Sequence, residues 1–142
     1  MKYILVFSAL ILTSACTTLT GNNEILDISD DKTIQIGVTK KSELSNKLGR
    51  PQASFIKYNE KETMNKIGEL MPGMEESLKP GEYSGLYYAA CELFITGFIY
   101  YSSEYSQCVF IFNENNVLEK QICDNGKKSM GTCPQNLIPK SS

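Results

Sequence analysis

The sequence predicts an α+β fold in which short helices pack on one face of a small antiparallel sheet, a meander of three to four strands. Helix signals are grouped in the first half of the chain, between residues 39 and 78. Apolar and aromatic segments of strand length follow in the second half, between residues 86 and 123, separated by short polar segments. Helices grouped ahead of consecutive strands are typical of an α+β architecture.

The N-terminus predicts a cleaved secretory signal. Lys2 precedes the apolar run 4–12, which is too short for a transmembrane helix because such a helix needs about 20 residues. The sequence Leu12-Thr13-Ser14-Ala15-Cys16 resembles the lipobox of bacterial lipoproteins, which implies cleavage before Cys16 and a lipid on its sulfur. Thr17 follows the cysteine, and in a Gram-negative host this favours the outer membrane, facing the periplasm. A plain secretory signal with Cys16 in a disulfide is the alternative.

Composition divides the chain into four parts. Residues 1–15 are the signal, and residues 16–33, rich in Thr, Asn and Asp, are interpreted as a lipidated tether. Residues 34–133 are the predicted α+β domain, and residues 134–142 are a loose polar tail. The mature length suits one compact domain.

The first predicted helix has signals at both ends. Thr39 is predicted as its N-cap, and Leu44 and Leu48 lie four residues apart on one face. Gly49 is predicted to take φ > 0 just after the helix, and Pro51 prevents its continuation.

A strand at 55–58 separates this helix from a second helical segment. That segment begins at Glu60 and carries an apolar stripe of Met64, Ile67, Leu70 and Met71. A stripe that contains methionine is more typical of core filling than of a partner surface.

The second half alternates between strands and turns. Strands are predicted within 86–101, at 108–112 and at 117–123, with turns at 102–104 and 113–116. Gly97 is predicted to mark a bulge or bend. Segment 108–112 is apolar on both faces, which indicates a central strand, and the asparagines of 113–116 tolerate φ > 0.

Four cysteines remain after Cys16, namely Cys91, Cys108, Cys123 and Cys133. An even number in an exported chain predicts two disulfides. Three pairings are possible, and Cys123 with Cys133 is favoured because a polar turn at 124–126 would bring them together. Buried free thiols are the alternative. No pair has the spacing of a zinc site.

Composition argues against catalysis and against nucleic-acid binding. The formal net charge is −2 and the basic residues are scattered, whereas a phosphate-binding surface needs them concentrated. The chain has no histidine, the commonest general base and metal ligand. Glu75 and Glu76 are adjacent, so on a helix their side chains diverge. We therefore predict a non-enzyme without catalytic, cofactor or metal residues.

Tyrosines are the candidate partner-binding residues, because tyrosine combines apolar area with a polar tip. The candidates are Tyr83, Tyr87, Tyr88, Tyr100, Tyr101 and Tyr105. The alternative is that half of them pack the sheet.

Two segments resemble the SmpA/OmlA (BamE-like) lipoprotein domain. The first runs from Ile36-Gly37-Val38-Thr39 to Leu48-Gly49-Arg50-Pro51, and the second covers 108–117. The sequence departs from that family in the long segment 60–90 and in its four cysteines. The resemblance implies a small non-catalytic domain that is held at the membrane and binds a protein partner in outer-membrane protein assembly or envelope integrity. The alternative is an inhibitor or immunity-type lipoprotein that blocks another protein.

Overall fold

The computed structural model describes residues 16–21, 23–28, 31–96, 100–129 and 133. Its strands are β1 (Cys16–Gly21), β2 (Ala53–Asn59), β3 (Glu82–Thr96), β4 (Tyr100–Phe112) and β5 (Leu118–Ser129). Its helices are a short 3₁₀ helix (Asn23–Ile25), α1 (Lys41–Leu48) and α2 (Glu60–Leu70).

The five strands of the described residues form one sheet around the long strand β3. The order is β1-β3-β4-β5, and β2 also pairs with β3. Strand β4 occupies one edge of β3 from Ser84 to Thr96. The other edge is shared, because β2 pairs with the first residues of β3 and β1 pairs with 90–95. All these pairs are antiparallel.

One face of the sheet is covered by the 3₁₀ helix, the turn after it and α1. Ile25 and Ile28 pack there together with Leu44 and Leu48 of α1. From the sheet, this face contributes Leu86, Tyr88, Ala90, Cys108, Phe110, Phe112 and Leu118.

The opposite face is covered by α2 and the segment that follows it. Ile67 of α2 and Met71 pack against the alternate side chains of the sheet. Those side chains are Tyr83, Tyr87, Ala89, Cys91, Val109, Ile111 and Ile122. The predicted arrangement, with helices on one face of three to four strands, is therefore wrong. Adjacent residues of a strand point to opposite faces, so a central strand that is apolar on both sides requires a covering layer on each.

Helix α1 ends as predicted but begins differently. Gly49 follows the helix with φ 71°, which confirms the predicted positive φ. The N-cap is Lys40, and its backbone amide donates to the Glu43 carboxylate over 2.9 Å. The Thr39 hydroxyl instead accepts from the backbone amide of Gln35. The predicted N-cap is wrong because this hydroxyl closes the preceding turn.

Part of segment 16–33 belongs to the folded domain. Residues 16–21 form β1, and Ile25 and Ile28 are buried in the core. The interpretation of the whole segment as a tether is therefore corrected for these residues. Two isoleucines at this spacing bury enough apolar area to stabilise an ordered turn.

Two predicted turns lie inside strands. Residues 102–104 belong to β4, and residues 124–126 belong to β5. Thr96 and Tyr100 are the last register partners of β3 and β4, and the predicted bend at Gly97 lies outside the described residues, as does the tail 134–142. Cross-strand pairing with β4 overrides the turn propensity of 124–126.

Other local predictions agree with the structure. The segment 108–112 is buried on both faces at the centre of the sheet. Asn116 takes φ 58° in the turn between β4 and β5. Ile67 and Met71 fill the core, as the apolar stripe of the second helix predicted.

Candidate functional site

The backbone of Cys16 lies at one end of the sheet. Cys16 is the first residue of β1, and its register partner is Ile95, near the end of β3. Strand β1 runs antiparallel to β3, away from this end. We call this the anchor end of the sheet. The predicted signal, residues 1–15, lies outside the described part of the chain.

Two disulfides cross-link the sheet, one on each face. Cys108 and Cys123 are register partners in β4 and β5, with their α-carbons 4.2 Å apart. Cys91 of β3 is joined to Cys133 on the α2 side. The predicted disulfides are thus present, but the favoured pairing of Cys123 with Cys133 is wrong. Because β5 continues through 124–126 without turning, Cys123 faces Cys108 directly.

The disulfides stabilise the domain chiefly by restricting the unfolded chain. In the chain-entropy model, a loop of 15 residues contributes about 3 kcal/mol and one of 42 residues about 4 kcal/mol. The bond from Cys91 to Cys133 also fixes the segment after β5 against the sheet. Such bonds persist in an oxidising compartment.

Three of the six candidate tyrosines are buried in the sheet. Tyr83, Tyr87 and Tyr88 are 6%, 1% and 0% exposed. The Tyr88 hydroxyl donates to the carbonyl of Gly49 over 2.9 Å, which ties β3 to the end of α1. These residues pack the sheet, which was the alternative interpretation. Tyr105 is half-buried, and only the backbones of Tyr100 and Tyr101 are described.

A polar chain of side chains crosses the sheet on the α2 side. The Tyr87 hydroxyl donates to Gln107 over 3.1 Å, and the amide of Gln107 donates to Asp124 over 3.0 Å. Burial raises the pKa of Tyr87 to about 12, so this phenol stays protonated. These hydrogen bonds satisfy buried polar groups and have a structural role.

A pocket opens at the end of the sheet opposite Cys16. We call it the outer pocket, and its volume is about 260 Å³. It is lined by Lys41, Ile56, Lys57, Glu82, Tyr83, Ser84, Asn113, Glu114 and Asn116. They come from the start of α1, from β2, from the start of β3 and from the turn between β4 and β5.

Ile56 and Lys57 stand out in this pocket because of their exposure and backbone geometry. Ile56 is 64% exposed. Lys57 takes φ 56° where the register between β2 and β3 shifts. A non-glycine residue in this conformation costs roughly 1–3 kcal/mol, and such positions cluster at functional sites. The bulge displays both side chains at the rim.

The pocket wall combines buried polar groups with opposite charges. The hydroxyl of Ser84 is buried and has no hydrogen-bond partner among the described residues. Burial lowers the pKa of Lys41, whose ammonium lies 6.0 Å from the centre of the Phe112 ring. Lys57 and the carboxylates of Glu82 and Glu114 complete a wall of mixed charge. Such a wall suits a partner with both polar and apolar contacts.

The sequence pattern gave little indication of this pocket. Its residues come from four separated segments that meet only in the folded sheet. The one local signal is Ile56 next to Lys57, an apolar side chain on the solvent side of an edge strand. An exposed isoleucine by itself is common on protein surfaces.

The described residues contain no group of three or more Cys, Asp or Glu side chains that could hold a metal ion. No helix in the described ranges is both long and apolar enough to cross a membrane. Comparison of the chain with models of known families, with curated proteins and with solved structures finds no match. The resemblance to the SmpA/OmlA domain stays a prediction from two short motifs.

Proposed function

We propose that the chain is a non-catalytic lipoprotein of the cell envelope. Lipid on Cys16 anchors it, and a protein partner binds at the outer pocket. The proposed location is the outer membrane, facing the periplasm. The observation that carries the proposal is the layout of the sheet, with Cys16 at one end and the exposed pocket at the other. An adaptor needs this separation between its anchored end and its binding end.

The exposed rim of the outer pocket favours a protein partner over a small molecule. Pockets for drug-sized ligands enclose most of the ligand. The outer pocket has a volume of about 260 Å³, and the exposed Ile56 stands on its rim, where a larger partner can contact it. A single anchoring side chain of a partner fits this volume, and the buried Ser84 hydroxyl would then gain a hydrogen-bond partner.

The two disulfides support an extracytoplasmic location. Each bond joins a buried cysteine to a partly buried one: Cys91, which is 2% exposed, to Cys133, and Cys108, which is 0% exposed, to Cys123. Cysteines of cytoplasmic proteins are kept reduced, whereas the periplasm maintains disulfides. The lipobox-like sequence before Cys16 supports the same compartment.

Site-specific photo-crosslinking in the producing bacterium tests the binding site. A photoreactive phenylalanine analogue at position 56 should form a crosslink to one defined protein. The same analogue at Asn65, an exposed residue of α2 away from the outer pocket, should not. Crosslinks of equal yield at both positions, or none at position 56, would contradict the proposed site.

A substitution completes this test. Ile56→Asp should abolish co-purification of the protein that the crosslink at position 56 identifies. The free energy of unfolding should change by less than about 0.5 kcal/mol, because the side chain is exposed. The identity of the captured protein decides the type of adaptor. A subunit of a barrel-assembly machine supports a role in outer-membrane protein assembly. A toxin, lysozyme-like enzyme or protease supports the inhibitor alternative.

A further inference from the structure

The paired strands of the β3–β4 hairpin continue past the two hydrophobic core clusters at the anchor end. Neither core cluster includes a hydrophobic residue of β3 after Cys91. The paired backbone continues to Thr96 and Tyr100, roughly 15 Å farther at the usual rise of a strand. We call residues 93–96 of β3 and 100–102 of β4 the arm tip. Ile95, near its end, is 36% exposed.

The register places this arm tip beside the proposed lipid attachment site. Cys16 pairs with Ile95, and neighbouring strands lie about 5 Å apart. A diacylglyceryl group on the Cys16 sulfur is separated from the α-carbon by only a few bonds. If its acyl chains are in the bilayer, the backbone of Ile95 must lie at the bilayer surface.

The chemistry of the arm suits that surface. Residues 93–103 contain no charged side chain. The first charges of the hairpin itself behind the tip are Glu92 and Glu104, which face each other across it. On the neighbouring strand β5, Lys128 is the register partner of Ser103, and Lys127 forms a salt bridge with Glu104 over 3.0 Å. Two consecutive tyrosines, Tyr100 and Tyr101, begin β4, and tyrosine is enriched at membrane interfaces.

The same charges limit the depth of insertion. Glu92 lies three residues behind Ile95, which corresponds to about 10 Å along a strand. Burial of an ionised carboxylate in hydrocarbon is costly. The arm tip can therefore enter the headgroup region and the upper acyl chains, which lie within roughly 5–10 Å, but cannot cross a core about 30 Å thick.

We infer that the arm tip rests in the membrane interface beside the lipid on Cys16 and acts as a second contact with the bilayer. This inference rests on the lipid attachment in the proposed function. Two contacts fix the direction of the sheet as well as its position. Ser84, in the wall of the outer pocket, is eleven residues from Ile95 along β3, so the pocket is held at most about 35–40 Å from the bilayer.

Tryptophan fluorescence tests the inference, because the chain contains no natural tryptophan. Ile95→Trp places the fluorophore at the arm tip, and Ile56→Trp is the matched control at an exposed isoleucine of the opposite end. Each full-length variant is purified from membranes of the producing bacterium and reconstituted into vesicles of phosphatidylethanolamine and phosphatidylglycerol with brominated acyl chains. Mass spectrometry of the same samples records whether Cys16 carries lipid.

In lipidated protein, the tryptophan at position 95 should emit at shorter wavelength and lose most of its fluorescence to the brominated lipid. The tryptophan at position 56 should keep its water-exposed emission. Lipidated protein without quenching at position 95 overturns the inference and leaves the proposed function standing. A shift to shorter wavelength without quenching assigns the arm tip to a protein contact, which also overturns it. Unmodified Cys16 in both samples refutes the lipid anchor, and with it this inference.

Discussion

Gly49 ends α1 with a backbone conformation that other residues rarely adopt. Its φ is 71° and its ψ is −146°, a region that is essentially restricted to glycine. The carbonyl of this residue accepts the hydrogen bond from the Tyr88 hydroxyl, so the helix end is also fixed to the sheet. A side chain at this position would meet no neighbouring atom within 4 Å, and the cost of a substitution is therefore conformational.

Gly49→Val should lower the free energy of unfolding by roughly 1–3 kcal/mol, as strained backbone positions do. Asn46→Ala, on the exposed side of the same helix, should change it by less than about 0.5 kcal/mol. Urea denaturation of both variants measures the difference. Equal midpoints would show that Gly49 does not hold this conformation.

Asp31 connects the segment before α1 to the helix and makes that contact sensitive to acid. Its carboxylate forms a salt bridge with Lys47 and accepts hydrogen bonds from the amide and hydroxyl of Thr33. The hydrogen bond from Lys47, followed by those from Thr33, lowers the pKa of Asp31 to about 2 from the ordinary value of 3.8. The ionised carboxylate is therefore favoured in the folded state.

The stability that the ionised Asp31 carboxylate contributes should be fully present above about pH 4 and should be lost as the pH falls towards 2. The unfolded chain binds the proton first, so acid favours unfolding over this range. Asp31→Asn should consequently be less stable than the natural chain near neutral pH, and the difference should shrink towards pH 2. Denaturant titrations across this range measure it, and a difference independent of pH would contradict the role of the ionised carboxylate.

At the scale of secondary-structure elements, Gly85 allows β2 to pack closely on β3. A β-carbon built on Gly85 would lie 2.1 Å from Cζ of Phe55. The Phe55 ring is 5% exposed and stacks on Tyr58, with their centres 5.3 Å apart. The ring therefore occupies the space that a side chain at position 85 would need. This contact holds the strand that carries the bulge at Lys57.

Gly85→Ala should destabilise the domain by roughly 1–3 kcal/mol, because the Phe55 ring must leave its position. Gly81→Ala is the matched control, since its nearest contact would be an ordinary 3.5 Å to the Tyr83 hydroxyl. Thermal unfolding of both variants measures the effect. A Gly85→Ala variant as stable as the control would show that β2 does not pack on β3 in this way.

The sequence predicted those elements whose signals are local. The positive φ of Gly49 and of Asn116 was predicted from the conformational freedom of these residue types. Segment 108–112 was predicted as a central strand from its apolar character. The turn predicted at 124–126 fails because pairing with β4 decides the backbone there. Gly126 provides the space for the ring of Tyr105, since a β-carbon would lie 2.8 Å from Cε1 of that ring.

Long-range arrangement could not be predicted in the same way. The side of the sheet on which α1 and α2 pack depends on which alternate residues of β3 and β4 each helix covers. Strand β1 is polar in sequence and is recognisable only from its pairing with β3. The disulfide partners follow from strand register, which places Cys108 opposite Cys123. The outer pocket likewise exists only after four segments meet.

At the scale of the whole molecule, the long strand β3 connects the two ends that matter for the proposed function. The outer pocket lies at its first residues, and the register partner of Cys16 lies near its last. The disulfides cross-link the sheet between these ends. Because β3 runs as one strand from Glu82 to Thr96, the position of the proposed anchor fixes that of the proposed binding end.

Mass spectrometry without reduction, on protein purified from the membrane fraction of the producing bacterium, tests the proposed lipid anchor together with the disulfide pairing. We expect a mature chain that begins at Cys16, with a diacylglyceryl group on its sulfur. It also predicts linked peptides that join Cys91 to Cys133 and Cys108 to Cys123. A chain that retains residues 1–15, or one that begins at an unmodified Cys16, would contradict the claim that this protein is a lipid-anchored envelope adaptor.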